Sequence, residues 1–219
     1  MLLHGFAEDR GVLEPRGDRL INMGFDVAIV DLRGHGLSGG ERVAFGGYES
    51  ADVSAWLNVL DRRGHAAGEG GGSIVWGRSM GASIALQAAA IDPRIKGLIL
   101  ESSYADLAVA TANWLKRMRI PSVLARPILL RAKKLAGVPL DLSRPIDVAP
   151  RVSTPLLMVH GTLDPIAPVA EARRLAAALK GSVRFVEAPA AHHTDVVELG
   201  GDRVVQEIRV FIDEIFGDP

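Results

Sequence analysis

The sequence predicts an α/β fold in three layers, a mostly parallel sheet wrapped on both faces by helices. Three observations lead there. Short apolar runs rich in Val, Ile and Leu alternate with helical patterns along the whole chain. Those runs are nearly continuous in hydrophobicity, as in strands covered on both faces. Most of them end in a turn marked by Gly, Asp or Ser, which is where an open parallel sheet gathers its functional groups. At 219 residues the chain suits one domain.

Met1-Leu2-Leu3 reads as the end of a strand, turned by His4-Gly5-Phe6. Val12, Leu13, Leu20 and Ile21 mark a helix, and Phe25 to Val30 a buried strand closed by Asp31. Leu32 to Gly47 is a glycine-rich loop. Val53, Trp56, Leu57 and Leu60 then fall at helical spacing within Tyr48 to Arg63, before a polar, glycine-rich link from Gly64 to Gly72. Ser73 to Trp76 is the next strand, Met80 to Ile91 a helix whose Gly81, Ala82 and Ala85 allow close approach to the sheet, and Gly97 to Leu100 another strand. Ala105 to Ala136 reads as helices broken at Pro121, with Pro127 a second candidate break, and Gly137 to Pro155 is a proline-punctuated link. The strand Leu156 to His160, the helix Val169 to Leu179 and the strand Val183 to Val186 follow. Val204, Val205, Ile208, Phe211, Ile212 and Ile215 put an apolar stripe on a closing helix.

Composition narrows the function. With 48% hydrophobic and 23% charged residues the chain has the makeup of a globular protein, not a disordered one. A net charge of −1 argues against nucleic acid as an obligatory partner. Without cysteine there is neither a disulfide framework nor a thiolate metal site, which suits a reducing, cytoplasmic setting. Apolar runs such as Ser83 to Ile91 are too short to span a bilayer, so no integral membrane association is expected. The chain enters fold-like sequence at once, and no signal peptide is expected.

The chemistry centres on Gly77-Arg78-Ser79-Met80-Gly81, a G-x-S-x-G pattern between a strand and a helix. Such a nucleophile elbow lifts a serine clear of the sheet on a strained turn. A serine hydroxyl needs a base to take its proton and a carboxylate to orient that base. Asp164 follows the Leu156 strand, in a turn bounded by Gly161 and Pro165, and His192 and His193 follow the Val183 strand. The order is serine, acid, histidine, each group after a separate strand at the same edge of the sheet. Adjacency alone leaves both histidines open, and Glu101, at the end of a neighbouring strand, stands as an alternative acid. The amides of Met80, just after the serine, and of Phe6, after His4-Gly5, are the expected oxyanion donors.

With these pieces placed, the chain resembles the α/β-hydrolase superfamily, nearest its serine aminopeptidase-like and carboxylesterase-like branch. The marks are His4-Gly5-Phe6, the R-G-x-G-x-S loop Arg33 to Ser38, the elbow, His160 to Asp164, and Ala191 to Asp195. The resemblance implies catalysis by Ser79, Asp164 and His193, the last because the family pattern G-A-G-H-x-D puts His192 at its second glycine. It implies an oxyanion hole from Phe6 and Met80, no cofactor and no metal, and a small-molecule acyl substrate. Arg33 and His35 hold the strand end and pocket rim in this family. A carboxylic esterase is the first expectation, with thioesterase and peptide or amide hydrolase behind it, and a catalytically silent binding protein as the alternative.

Two departures stand out. The sheet begins at the third family strand, which leaves Phe25 to Val30 as an exposed edge able to pair with a second copy in a homodimer. Within the single domain 1–219, residues 104–150 form an insertion sized for a small helical cap. Lys116, Arg117, Arg119, Arg126, Arg131, Lys133 and Lys134 fall in this span, with no acidic residue between Asp106 and Asp141. The plain reading is solvated helix faces. The sharper one is a cap that attracts anionic acyl substrates or an acidic membrane surface.

Overall fold

A computed structural model describes residues 1–64, 72–137 and 144–217. Six strands, β1 (Leu2–Leu3), β2 (Ile29–Val30), β3 (Ser73–Arg78), β4 (Ile95–Glu101), β5 (Leu156–Gly161) and β6 (Val183–Ala188), form one sheet in the order β2-β1-β3-β4-β5-β6. Every pairing is parallel. Around the sheet lie α1 (Glu14–Asn22), α2 (Glu49–Arg62), α3 (Met80–Ala89), α4 (Leu107–Arg117), α5 (Ala125–Ala136), α6 (Pro145–Val148), α7 (Val169–Ala178) and α8 (Val196–Phe216).

The three layers follow from the two-residue period of a strand. Leu3, Val75, Leu98, Leu100, Leu156 and Met158 face one side, where they pack with Val53 and Leu57 of α2, Ile84 and Leu86 of α3, and Leu175 of α7. Leu2, Trp76, Ile99, Leu157 and Val159 face the other, against Leu13 and the α8 stripe of Val204, Ile208, Phe211 and Ile212. Helix α3 is the most enclosed, with Met80 to Ala88 all buried. Its small residues let it lie directly on the sheet.

The two N-terminal strands are shorter than their apolar runs suggest. Only Ile29 and Val30 of the Phe25 to Val30 run join the ladder, and β2 is an edge. Four strands outlast their apolar runs: β3 continues through Arg78, β4 through Glu101, β5 through Gly161 and β6 through Ala188. The charged residues there, Arg78 and Glu101, are tolerated because they pair with Glu8 and Arg16. Helix α8 also starts earlier than its stripe, at Val196, and turns at Gly201, whose φ of 57° interrupts it.

Between β4 and β5 the chain forms α4, a 3-10 turn at Ser122–Leu124, α5 and α6, and residues 138–143 lie outside the described residues. Pro121 separates α4 from α5. Pro127 does not break α5, because it sits in the first helical turn, where no intrahelical N–H bond is due. Much of the glycine-rich link between α2 and β3 likewise falls outside the described residues. Among the described residues no helix is long and apolar enough to cross a membrane.

Candidate active site

Ser79 sits between β3 and α3 with φ 53° and ψ −111°, a left-handed conformation that a non-glycine residue adopts only under constraint. The constraint is visible on both sides. Ser79 N–H donates to the Glu101 carbonyl at 2.8 Å, which ties the turn to β4. A Cβ on Gly77 would run into the carbonyl of Gly81, and one on Gly81 into the carbonyl of Leu3, so the elbow closes only with glycine at both places.

Three strand ends meet at the serine. His193 Nε2 lies 2.9 Å from Ser79 Oγ, and its Nδ1 lies 2.6 Å from Asp164 Oδ2. The other carboxylate oxygen of Asp164, Oδ1, accepts the N–H groups of Ile166 at 2.8 Å and Ala167 at 2.9 Å. Asp164 is thus buried with both oxygens engaged. This arrangement fixes the tautomer: Nδ1–H donates to the carboxylate, and Nε2 is left to accept from the serine. His192 points elsewhere, exposed, with its N–H donating to Asp195 Oδ1 at 2.6 Å. Asp195 therefore acts as the clasp of the turn that carries His193.

Glu101 is not placed as an acid for this histidine. Its carboxylate is fully buried and accepts from Arg16 Nη2 at 2.6 Å, Arg16 Nε at 2.9 Å and Trp76 Nε1 at 3.1 Å. Arg16 reaches on to Glu198 at 3.0 Å. Trp76 belongs to the α8 side of the sheet, and the network clips α1 to β4 and α8 there.

Phe6 and Met80 occupy the turn after β1 and the first position of α3. Gly81 packs on the carbonyls of Leu3 and His4, which brings the start of α3 against the end of β1. Side-chain contacts that sequence spacing does not show hold this turn. Glu8 accepts Gly5 N–H at 2.7 Å and pairs with Arg78, buried at the elbow, at 2.5 Å. His4, fully buried, bonds the Gly5 carbonyl through Nδ1 at 2.7 Å and accepts Leu32 N–H through Nε2 at 2.9 Å. Burial holds its pKa below the ordinary histidine value, as its accepting nitrogen requires. His35 joins Ala7 N–H at 3.2 Å to the Arg33 carbonyl at 2.9 Å. Arg33 itself pairs with Asp52 at 2.6 Å.

The acid turn has a similar brace. His160 Nε2 donates to the Ala167 carbonyl at 2.7 Å, so it grips the residue whose N–H holds Asp164. Burial lowers the His160 pKa too. The turn after β1 also carries an aromatic cluster. Phe6 stacks on Phe45 at 5.5 Å between centroids and meets Trp114 of α4 edge-on at 6.3 Å. Only burial marks these braces, and burial of a polar residue is not written in sequence spacing. The one available signal was that His4 and His160 each precede a glycine at a strand end.

Among the described residues no group of three or more His, Cys, Asp or Glu side chains is arranged to hold a metal ion. The arrangement can do one thing directly: draw a proton from Ser79 toward a histidine oriented by a buried carboxylate.

Residues 1–143 match the family model described as serine aminopeptidase, S33, and residues 129–213 match one described as TAP-like protein. An uncharacterized protein of Mycobacterium tuberculosis is 28% identical over 217 residues, covering 98% of this chain and 69% of that protein. Among solved structures, the Pyrococcus furiosus esterase Pf2001 superposes with a TM-score of 0.81 at 22% identity, over 99% of this chain and 82% of its own. A Paleococcus ferrophilus monoacylglycerol lipase does so at 0.68 and 20%, over 97% and 93%. At these identities the structural likeness speaks to the fold.

Proposed function

Because the chain belongs to the serine aminopeptidase S33 family of α/β-hydrolases, we propose that it hydrolyses a carboxylic ester of a small molecule through an acyl-enzyme on Ser79. The observation that carries this is the continuous run Ser79 Oγ, His193, Asp164, with links of 2.9 and 2.6 Å.

Ser79 Oγ attacks the acyl carbon while His193 Nε2 takes the hydroxyl proton. The Asp164 carboxylate stabilises the imidazolium and stays ionised. Charge gathers on the former carbonyl oxygen, which the amides of Phe6 and Met80 receive. Collapse of the tetrahedral intermediate expels the alcohol, which takes the proton from His193, and leaves the acyl ester of Ser79. Water then repeats the sequence: His193 takes its proton, and Ser79 leaves with that proton as the acid is released. No step calls for a metal or an organic cofactor.

An ester is favoured because Phe6, whose amide is an oxyanion donor in this reading, carries a ring that joins Phe45 and Trp114 in an apolar cluster suited to an acyl chain. The acidic groups nearby, Glu8 and Asp195, are occupied by Arg78 and by the His192 turn, so they support the ammonium end of a peptide poorly. The test is stoichiometric labelling by a fluorophosphonate probe, abolished in Ser79→Ala, followed by p-nitrophenyl esters of graded acyl length beside acyl thioesters and aminoacyl amides. A folded protein that takes no label would favour a silent ligand-binding member of the family, and faster turnover of the amides would make it a peptidase.

A further inference from the structure

The cap leaves a surface that its own packing does not use. Helix α5 rests on the body through Leu129, which joins Tyr104, Leu107 and Ala110 in a small core beneath the cap. At 100° per residue its opposite face carries Pro127, Leu130, Arg131 and Lys134, with Val123 one turn earlier. Val123 is 76% exposed, Leu130 58% and Leu135 58%, and Met118 at the end of α4 is 51% exposed. Large apolar side chains this exposed, close together in sequence, are unusual on a surface with nothing to cover them.

Charge selects the partner. The cap segment from 107 to 140 holds seven basic residues and no acidic one in its sequence, while the rest of the chain holds 18 basic and 26 acidic residues, a formal −8. The molecule is therefore polarised, with its positive end on the cap. An anionic surface attracts that end and repels the remainder, so it also orients the protein. Interleaved apolar and basic side chains on an outward helical face suit the boundary between lipid headgroups and acyl chains, where the arginine and lysine heads stay among phosphates and Leu or Val enters the apolar layer. The cap also reaches the site: Trp114 of α4 touches Phe6 beside the elbow.

From this surface we infer that the cap docks the protein on an anionic lipid bilayer, with α5 lying in the interface. Resting on the hydrolase reading above, the inference extends it to an acyl substrate that resides in the lipid and enters past Trp114.

The experiment separates docking from catalysis by using the Ser79→Ala protein. Sedimentation with phosphatidylcholine–phosphatidylglycerol vesicles should carry it down, with phosphatidylcholine vesicles leaving it in solution and high salt reversing the binding. Replacing Arg126, Arg131 and Lys134 by Gln should weaken binding by at least about tenfold. Replacing Val123 and Leu130 by Gln should weaken it comparably. In the Ser79-containing protein both sets should leave turnover of a short soluble ester unchanged. Equal binding to neutral and anionic vesicles, or undiminished binding by the charge variant, overturns the inference. So does undiminished binding by the Val123/Leu130 variant together with capture by soluble polyglutamate, which would make the surface a site for an acidic protein. Failure of Ser79 to take the fluorophosphonate label would sink the hydrolase reading and leave the vesicle result standing.

Discussion

At the scale of single residues, two carboxylates at neighbouring strand ends have different fates because of what surrounds them. Asp164 faces His193 and is cradled by two backbone amides, whereas Glu101 is claimed by Arg16 and Trp76. Asp164→Asn should therefore lower kcat by roughly four orders of magnitude, since the amide cannot hold the required tautomer. Glu101→Gln should leave the pH–rate profile in place and lower the unfolding midpoint instead. A fully active Asp164→Asn enzyme would exclude this assignment. His160 acts one step removed, through the turn that it grips at Ala167. His160→Leu keeps much of the volume and loses that bond. It should reduce kcat about ten- to a hundredfold with KM nearly constant, as expected for a misplaced acid. A matching rise in KM would point to a disturbed pocket instead.

At the scale of elements, the site is an agreement between β1, the elbow and the loop after β2. Arg78 and Glu8 connect the first two through a largely buried ion pair. Removing one partner strands a charge. Glu8→Ala should cost about 3 kcal/mol of stability, read from the urea midpoint, and Glu8→Ala with Arg78→Met should recover much of it. Independent, additive losses would show that the pair does not couple these elements. Gly81→Ala tests the other contact, between α3 and the Leu3 carbonyl. The added methyl must push α3 from β1, with an expected loss of about 1–3 kcal/mol and slower fluorophosphonate labelling. Labelling at the parent rate would mean that the turn after β1 tolerates the shift.

At the scale of the whole molecule, stability should respond to acid in two windows. His4 and His160 are buried and held neutral, with pKa values lowered by desolvation. The unfolded chain takes up these protons first, from about pH 6.5 downward. Their contribution is thus complete above that pH, and is lost as pH falls through it toward the lower folded-state values. Asp92 defines the second window. Its bonds to Arg94 bring its pKa down to about 2, so the stability it contributes is present above the ordinary carboxylate value and disappears on the way down to pH 2. Thermal melts across pH 2 to 8 should show both declines. A flat profile between pH 7 and 5 would contradict the account of the histidines.

Much of this was open to a reader of the sequence. The alternation of apolar runs and helices dictated the parallel three-layer sheet, because a strand covered on both faces has no choice but to be apolar throughout. Ser79, Asp164 and the two histidines could be found because each follows a separate strand, and parallel strands deliver their ends to one edge. What the sequence alone could not decide was direction and pairing. Whether His192 or His193 turned inward, and whether Glu101 met a histidine or an arginine, depended on contacts between residues 85 to 114 positions apart. The bracing contacts of His4, His160, Glu8 and Arg78 stayed hidden for the same reason: a buried polar group is defined by its partners, and the partners are assembled only when the sheet closes.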